Sequence, residues 1–489
     1  MSGHGDKCVR HVDTAGGFEG EVSLRVLRRH PPTPEQINIV RRIQQGVSLI
    51  RGSAGSGKTS TALTALRATT GTTVNQLRNE GALPANVLVL TYYNSLRGYI
   101  TAVAEVELAD YADDAQLVIM TFDKWAFATL GWRGHLDIVA CENQLLALCF
   151  PFPRDTNFAI DEAQYVLGRF RPNALDEYLV RPRTGRGNAP SMDRPMRQRF
   201  LDEVVRPYLE WKRARGARDF HDLSFAMADA VPSVTYDVIV IDEAQDLSAN
   251  QIRAVMAHAA PGATITIVTD TAQRIYPRGS PWAEAGVLLH PNRSFRLTRN
   301  YRNTRQTASL AAALASGLVL DEDGSLPDPA LCTRDGRLPV FLLGRFREQL
   351  RWVVDWLSTV DLERETVGFL HLKGGGWFDD IREGLSDGGF EYCELQGVNE
   401  WPEHGPNIGL CTFHSAKGLE FDHVVMIGLA QENASHGAEI EDDRYAALRR
   451  LLAMGVGRAR ETVILGAKPG AELSALHFIA ADTVEVIRL

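Results

Sequence analysis

A series of short apolar runs, separated by longer stretches of helical periodicity, constrains the fold of this 489-residue chain more than any other feature. The runs are VSLIRG at Val47, VLVLTY at Val87, LVIMTF at Leu117, VIVIDE at Val238, TITIVTD at Thr264, VGFLHL at Val367, IGLCTF at Ile408 and HVVMIG at His423. Such runs are typical of strands buried on both faces of a parallel sheet, and their alternation with helices indicates an α/β protein. Because they are too numerous for one mononucleotide-binding sheet, the sequence predicts two α/β lobes with parallel sheets.

The composition limits the class of protein and the class of partner. With 45% hydrophobic and 23% charged residues, the chain can form two or more cores and is of neither a disordered nor a fibrous type. The formal net charge of -9 argues against binding to nucleic acid through overall basicity. A local basic groove is compatible with that charge, so a nucleic-acid partner is not excluded.

The cysteines and the apolar runs bear on the compartment. The six cysteines are dispersed and form no C-x-x-C pair, so neither a zinc ribbon nor an iron–sulfur cluster is indicated. The N-terminal residues lack the apolar segment of a signal peptide, and no apolar run approaches the length of a membrane span. We expect a soluble protein of the reducing cytoplasm that does not bind membranes.

The segment GSAGSGKT, residues 52–59, carries the clearest chemical signal. It follows the strand VSLIR and precedes the helical pattern STALTALRA, which is the context of a phosphate-binding loop. In such a loop backbone N–H groups surround the phosphates, Lys58 reaches the β and γ phosphates, and the Thr59 hydroxyl ligates magnesium. The predicted phosphate-binding residues are Gly52, Ser53, Ala54, Gly55, Ser56, Gly57, Lys58 and Thr59. A glycine-rich turn with an unrelated lysine is the structural alternative.

The tetrapeptide Asp-Glu-Ala-Gln occurs twice, and only one copy has the surroundings of a magnesium site. The copy at Asp242 follows the buried strand YDVIVI and precedes another strand that ends in an acid, as in the centre of a parallel sheet. We therefore assign Asp242 to magnesium and Glu243 to the polarisation of the attacking water. The copy at Asp161 lacks such a strand, and we interpret Asp161 and Glu162 as a solvated helix start outside the cleft.

Three polar residues in the downstream segments suit a reaction at a γ-phosphate. A hydrolase that works in a cleft between two lobes needs a polar sensor from the first lobe and cations from the second. Gln273 in TDTAQRIYPRG suits the sensor, and Arg302 in LTRNYRNTRQ and Arg458 in MGVGRARETV suit the cations. Each arginine alone would be interpreted as an exposed salt-bridge partner. The fixed order of the segments favours the catalytic interpretation.

Further segments complete an ordered set that resembles a known family. They are PTPEQ at Pro32, VLVLTYYNSLRGYI at Val87, VIMTFDKW at Val118, ARDFHDLSFAMADA at Ala217, NYRN at Asn300 and HSAKGLEF at His414. From Thr33 to about Leu465 the chain resembles the UvrD/Rep type of superfamily 1 helicases. The resemblance implies two RecA-like P-loop NTPase lobes that bind ATP and Mg2+ between them, with single-stranded DNA across both lobes. Members of this family mostly move 3′ to 5′ as they hydrolyse ATP.

The resemblance also implies roles for individual residues and a division into domains. Gln36 corresponds to the adenine-reading glutamine, Tyr301 lies on the adenine face and Glu420 on the ribose. The implied nucleic-acid contacts are Thr91, Tyr92, Asn94, Thr121, Phe122, Thr412 and His414. The aromatic side chains that could stack on bases are Tyr92, Tyr93, Phe122, Trp125 and Trp282, with a position in the core as the equal alternative for each. The expected domains are the first lobe in residues 1–99 and 219–295, a mainly helical insertion in 100–218 that includes one strand near 117–122, and the second lobe in 296–489.

Several departures from the family pattern affect the expected activity. In the segment RRLLAMGVGRARETVIL at Arg449, Ala453 and Gly457 stand where the family usually has a tyrosine and a threonine. Ser60, just after the phosphate-binding loop, stands where many relatives have an arginine. Only QGVNEWPEHGPNIGLC separates REGLSDGGFEYCEL from TFHSAKGLE, where large relatives carry a mobile domain implicated in duplex contact. A compact motor is therefore expected, and translocation is implied more strongly than unwinding without a partner.

Two other functions stay open at this stage. The chain could be the motor or nucleotide-switch subunit of a larger DNA-processing or defence complex, in which a partner protein supplies nuclease or effector activity. RNA could replace DNA as the track, because no residue of the sequence identifies a reader of the 2′-hydroxyl. A loop with Arg181, Arg183 and Arg186 is a candidate phosphate-contacting patch, with a solvated loop as the alternative.

Overall fold

A computed structural model describes residues 31–489 apart from 53–54, 92–93, 133, 184–190, 270–284, 288, 319–328, 373–375, 396–405, 414, 417–418 and 432–442. Within this part of the chain the named strands form two sheets, and all pairings between them are parallel. The prediction of an α/β protein with two parallel-sheet lobes is therefore confirmed.

The strands fall into the two sheets in chain order. The first sheet contains β1 Gly46–Gly52, β2 Ala85–Thr91, β3 Ala115–Thr121, β4 Tyr236–Ile241, β5 Ala259–Thr269 and β6 Ser294–Leu297. The second sheet contains β7 Val340–Leu343, β8 Val367–His371, β9 Cys393–Glu394, β10 Ile408–Thr412, β11 Phe421–Met426, β12 Ala459–Ala467 and β13 Glu485–Arg488. The described strands follow the orders β3-β2-β4-β5-β1-β6 and β13-β7-β12-β11-β8-β10-β9. Each sheet therefore has an edge strand that comes much later in the sequence than the strand it pairs with, namely β6 beside β1 and β13 beside β7. Parallel pairings of this kind require crossover connections.

Helices connect the strands and cover the sheets. Those before β6 are α1 Pro34–Val40, α2 Lys58–Glu80, α3 Asn94–Leu108, α4 Phe122–Leu130, α5 Ile138–Cys149, α6 Thr156–Arg169, α7 Arg194–Phe200, α8 Arg206–Arg215, α9 Phe220–Asp229 and α10 Ala249–Ala257. Those after it are α11 Arg305–Leu314, α12 Phe346–Leu357, α13 Gly376–Asp387 and α14 Asp443–Val456. Among the described residues, no helix combines the length and the apolar character that crossing a bilayer requires.

The apolar runs fill a core on each face of the first sheet. In β2, Val87 and Val89 pack against α2 and α3, whereas Leu88 and Leu90 pack against α4, α9 and α10. This division follows from the alternation of side chains along a strand, which makes every residue of a doubly covered strand apolar. The uninterrupted hydrophobic pattern is thus explained by burial on both faces.

Helices α5 to α8 form a separate core beside the first lobe. Their buried side chains include Leu145, Val166, Phe200 and Tyr208, which pack with one another rather than with the sheet. In contrast, α3 and α4 contribute side chains to the two cores of the first sheet. We therefore propose that the helical insertion begins near α5 and not at residue 100.

A very short connection joins the two lobes. Strand β6 ends at Leu297 and pairs with β1 of the first sheet. Asn300 already forms a bridge with Cys332, and its backbone N–H donates to the carbonyl of Leu331 at 3.1 Å. Only Thr298 and Arg299 lie between these two points. The edge strand of the first sheet therefore leads directly into the second lobe.

Candidate functional site

The phosphate loop lies between β1 and α2, as the sequence predicts. Gly55 and Gly57 have φ values of 80° and 81°, in the left-handed region that favours glycine. Gly57 caps α2, which begins at Lys58. The positive N-terminus of the helix therefore faces the loop, an arrangement that binds phosphate. Ser53 and Ala54 lie outside the described residues.

Two hydrogen bonds stabilise this loop. The Nζ atom of Lys58 donates to the backbone carbonyl of Gly52 at 2.8 Å. The side chain of Gln36, buried at the start of α1, donates from Nε2 to the carbonyl of Gly57 at 3.2 Å. The structure thus brings the predicted adenine-reading glutamine and the predicted phosphate-binding lysine to the same loop.

Thr59 and Asp242 lie together at the carboxyl edge of the first sheet. The Oγ1 atom of Thr59 donates to both carboxylate oxygens of Asp242, at 3.1 and 3.2 Å. Adjacent ligands of an octahedral Mg2+ ion are about 3 Å apart, since each lies about 2.1 Å from the metal. The hydroxyl and carboxylate oxygens therefore fit the predicted magnesium site. The described residues contain no cluster of three or more His, Cys, Asp or Glu side chains that could hold a metal, so phosphate and water would supply the other ligands.

The electrostatics around Asp242 reflect its burial. Burial and the charge of Glu243 raise the pKa of Asp242 to about 7, while the hydrogen bond from Thr59 opposes the shift. Such a carboxylate is stabilised by any cation that reaches it. Glu243 has φ 52° and is the only non-glycine residue with positive φ in the described part of the chain. A glutamate in this conformation stores backbone strain, which is typical of functional sites.

The other Asp-Glu-Ala-Gln copy lies within α6, and our interpretation of it as a solvated helix start is wrong. The helix begins at Thr156, where the Asp155 side chain accepts from the N–H of Phe158, so Asp161 and Glu162 are in its middle. Glu162 is fully buried. The local pattern did not show its partners, which lie far along the chain.

The partners of Glu162 also correct the interpretation of the arginine loop. Arg183 forms a paired hydrogen bond with Glu162, at 2.8 Å from Nε and 2.6 Å from Nη2, and the Tyr178 hydroxyl donates to the same carboxylate at 2.5 Å. The Arg183 side chain is only 6% exposed. It is therefore neither a phosphate-contacting residue nor part of a solvated loop. Arg186 lies outside the described residues.

The second lobe approaches the tip of the phosphate loop through the NYRN segment. The N–H of Tyr301 donates to the carbonyl of Gly55 at 3.2 Å. A Cβ atom on Gly55 would lie 2.5 Å from Oδ1 of Asn300 and 3.0 Å from Cβ of Arg302. Only glycine permits so close an approach. The structure thus brings Tyr301 and Arg302, both predicted to contact nucleotide, to the loop.

The Arg302 guanidinium is held by Glu420, the predicted ribose ligand. Nη2 of Arg302 donates to Oε1 of Glu420. Burial alone would raise the pKa of the Glu420 carboxyl, but Arg302 and Arg460 lower it below its ordinary value. Arg458, the other predicted cation, is 3% exposed and donates to the carbonyl of Leu419 at 3.5 Å within the second lobe.

Arg460 was missed by the sequence reasoning. Its Nε and Nη2 atoms lie 3.2 and 3.0 Å from Oε2 of Glu420. Arg460 is the second residue of β12, and Arg458 lies in the turn just before that strand. No local signal in the sequence identified Arg460, because its partner Glu420 is 40 residues away along the chain.

The predicted nucleic-acid residues divide into three groups. Thr91 and Thr121 pair in register at the carboxyl ends of β2 and β3, and Oγ1 of Thr91 is buried without a hydrogen-bond partner. Thr412 ends β10 and donates to the Ser415 hydroxyl at 3.0 Å, and Asn94 is the first residue of α3. The third group lies outside the described part of the chain and consists of Tyr92, Tyr93, Trp282 and His414. The predicted sensor Gln273 also lies outside it.

For Phe122 and Trp125 the stacking interpretation is wrong. Their side chains are 2% and 1% exposed and meet edge to face, with ring centroids 5.8 Å apart. The indole Nε1 of Trp125 donates to the Tyr236 hydroxyl at 3.1 Å. Both rings belong to the core between α4 and the first sheet, so neither can contact a base.

Comparison with known families gives two matches, which follow one another along the chain and are separated by residues 282–390. The model of the UvrD/REP helicase N-terminal domain matches residues 32–281, just over half of the chain. The model of the UvrD-like helicase C-terminal domain matches residues 391–468. These matches include the phosphate loop, Asp242, Glu420 and Arg460.

Similar individual proteins cover shorter segments. The ATP-dependent DNA helicase Rep of Salmonella typhimurium (strain LT2) and that of Escherichia coli (strain K12) are each 32% identical over 72 residues. This segment is 15% of the chain and 11% of either relative, so the match spans about a tenth of these proteins. The C-terminal domain of a "possible DNA helicase" from Lactobacillus plantarum WCFS1 is 25% identical, with 38% of this chain and 98% of that domain covered and a TM-score of 0.29.

Proposed function

The chain belongs to the UvrD/REP helicase family, and from that premise we propose that it is a DNA helicase or single-strand translocase that hydrolyses ATP in the cleft between its lobes. The observation that carries the proposal is the position of the phosphate loop. Its Thr59 contacts Asp242 of the first lobe, and its Gly55 contacts Tyr301 of the second. A nucleotide on this loop would touch both lobes, so its hydrolysis could change their relative position.

The residues divide the work of hydrolysis. Lys58 would exchange its bond to Gly52 for the β and γ phosphates, and Thr59 and Asp242 would hold Mg2+, which would neutralise phosphate charge. Glu243 orients the attacking water. From the second lobe, Arg302 approaches the γ-phosphate. Arg458 and Gln273 complete the proposed set as a second cation and a sensor.

Single-stranded DNA is the proposed track, crossing the carboxyl edges of the sheets in the 3′ to 5′ direction of translocation. Thr91, Thr121 and Thr412 mark the ends of three strands that face this path. Tyr92, Asn94 and His414 are their proposed neighbours along the chain. Hydroxyl and amide groups at strand ends suit contacts to phosphate, which position a strand without reading its sequence.

A second candidate is the motor subunit of a larger assembly in the cytoplasm. Only residues 395–407 separate β9 from β10 in the second lobe, the position of the mobile domain in large relatives. So short a connection is too small to form a domain of its own that could contact duplex at the fork. A partner would then provide the duplex contact, or a nuclease or effector activity.

One experiment separates these functions. ATP hydrolysis is measured with single-stranded DNA, duplex DNA and RNA of equal length, for wild type and Lys58→Ala. We expect single-stranded DNA to stimulate the wild type most and Lys58→Ala to lose at least about 100-fold in rate. A switch subunit would hydrolyse slowly with all three. Stimulation by RNA alone would overturn the DNA track, and normal hydrolysis by Lys58→Ala would overturn the site.

A further inference from the structure

Glu420 lies between two arginines that bind different oxygens of its carboxylate. Arg302 donates to Oε1, and Arg460 donates from Nε and Nη2 to Oε2. The side chains of Arg302, Glu420 and Arg460 are 17%, 11% and 15% exposed. We call these residues the Glu420 cluster. Arg458 adds a third, weaker positive charge near the same carboxylate.

The backbone around the Glu420 cluster is held by two further side chains. Nη2 of Arg334 donates to the carbonyls of Arg302 and Arg460, at 2.7 and 3.0 Å. Nδ2 of Asn303 donates to the carbonyls of Gly457 and Ala459, at 3.1 and 2.6 Å. The segment that carries Arg302 is therefore fixed relative to the segment that carries Arg460, and rearrangement within the cluster is left to side chains.

Arg302 is the member of the cluster nearest to the phosphate loop. A Cβ atom on Gly55 would lie 3.0 Å from Cβ of Arg302, whereas Arg460 binds the other oxygen of the carboxylate, Oε2, and is not among the atoms nearest to that Cβ. The Nη2 group of Arg302 donates to Oε1 of Glu420, so this contact has to be given up where the same N–H turns to a terminal phosphate. If Arg302 moves to a phosphate, Glu420 keeps Arg460 as its counter-charge.

On the basis of the proposed function, we propose that Arg460 is a positioning residue that holds the Glu420 carboxylate while Arg302 exchanges between Glu420 and the terminal phosphate of ATP. Without Arg460, the departure of Arg302 would leave a buried carboxylate with only the weaker charge of Arg458 near it, which is costly. ADP lacks the terminal phosphate and leaves Arg302 in place. The role of Arg460 is therefore specific for the triphosphate.

The test compares affinities for the ATP analogue AMP-PNP and for ADP, both with Mg2+ and measured by displacement of a fluorescent nucleotide. For Arg460→Met we expect AMP-PNP affinity to fall about tenfold and ADP affinity to change by less than about twofold. Glu420→Gln in the same protein should restore the ratio, because the carboxylate that needed a counter-charge is gone. An equal loss for both nucleotides, no loss, or no restoration would overturn the proposal.

Two comparisons make this result interpretable. Arg382→Met is the control, since Arg382 is an arginine of the second lobe that forms ion pairs at the surface, with Asp379 and Glu394. It should leave both affinities unchanged. Glu420→Gln alone should raise the ratio of AMP-PNP to ADP affinity above that of wild type, because Arg302 is released. If Arg460→Met does not fold, the ratio of AMP-PNP to ADP affinity in Glu420→Gln is the test. A ratio at or below that of wild type refutes the exchange of Arg302 between Glu420 and the terminal phosphate.

Failure of the proposed function would be recognised separately. In that case the wild type would bind neither nucleotide, or Lys58→Ala would bind both as well as the wild type. Normal binding by the wild type, with an unchanged ratio in Arg460→Met, would refute only the role of Arg460.

Discussion

The Nε2 atom of His221 lies 2.8 Å from Oε1 of Gln164, which joins the first Asp-Glu-Ala-Gln copy to helix α9. The same helix packs against α10, which follows the second copy. Asn250 of α10 also donates to the carbonyl of Leu167 at 2.9 Å. The two copies are thus close in space, yet one belongs to a packed helix and the other to the end of a central strand.

This difference predicts opposite results for the two aspartates. Asp242→Ala removes the carboxylate that lies beside Thr59, so ATP hydrolysis should fall by at least about 100-fold. Asp161→Ala changes a half-buried position in α6 and should keep hydrolysis close to that of wild type. Steady-state hydrolysis with saturating single-stranded DNA measures both. Equal losses in the two variants would contradict the assignment of the magnesium site.

The Glu162–Arg183 pair should dominate the stability of the helical insertion. Arg183→Met leaves a buried carboxylate without its cation, and we expect the free energy of unfolding to fall by about 3–5 kcal/mol. Urea denaturation followed by circular dichroism measures this loss. Arg199→Met breaks an exposed pair with Glu203 and should cost less than about 1 kcal/mol. The double variant Glu162→Gln/Arg183→Met should recover part of the stability, and a loss as small as that of the control would refute the prediction.

Asp219 should make the stability of the protein depend on acid pH. Burial alone would raise the pKa of Asp219, but His221, Lys212 and the Tyr208 hydroxyl lower it below the ordinary value of 3.8. As the pH falls, Asp219 therefore takes up a proton in the unfolded chain before it does so in the folded protein. Its contribution to the free energy of unfolding is lost progressively below pH about 4.

The measurement is the difference in free energy of unfolding between wild type and Asp219→Asn, from urea denaturation at several pH values. We expect this difference to be largest near neutral pH and to shrink as the pH falls below about 4. Asp229→Asn, at an exposed partner of Arg171, should show a small difference at every pH. If the difference between wild type and Asp219→Asn instead grew toward acid pH, the pKa of Asp219 would be raised in the folded protein, and the prediction would be wrong.

Gly55→Ala should impair activity far more than it impairs stability. Its Cβ would meet Asn300 at 2.5 Å, and its φ of 80° strains any other residue. Gly81→Ala is a matched control, because Gly81 has φ 71° but nothing within 4 Å of the added atom. Gly81→Ala should lose about 1 kcal/mol of stability through its φ alone, and Gly55→Ala should lose more because of the overlap with Asn300; only Gly55→Ala should lose hydrolysis. Similar hydrolysis by both variants would mean that the contact between the lobes is dispensable.

The sequence predicted those features that depend on local pattern. Runs such as VLVLTY identified the strands because Val87 and Leu88 are buried on opposite faces of one sheet. The phosphate loop and Asp242 were identified because a nucleotide site requires both at strand ends, and the contact between Thr59 and Asp242 agrees with their proposed roles.

Features that depend on distant partners were not predicted. Glu162 resembled a solvated acid because its cation, Arg183, is 21 residues away along the chain. The sequence left Trp125 open to stacking on a base or to a position in the core, and its hydrogen bond to Tyr236 shows that it lies in the core. Arg460 lies 40 residues from Glu420, and only the folded second lobe brings them together. Pairings of this kind depend on tertiary structure, to which a linear pattern gives no access.

The connection between Leu297 and Asn300 restricts how the two lobes can move. Three peptide units span at most about 10 Å, and hydrogen bonds from Thr298 to the Glu35 carboxylate fix part of that length to the first lobe. Such a tether allows the second lobe to tilt but prevents it from sliding away. In the proposed translocase, each hydrolysis event would then produce a rotation about this pivot, and the step along DNA would depend on the distance from the pivot to the bound strand.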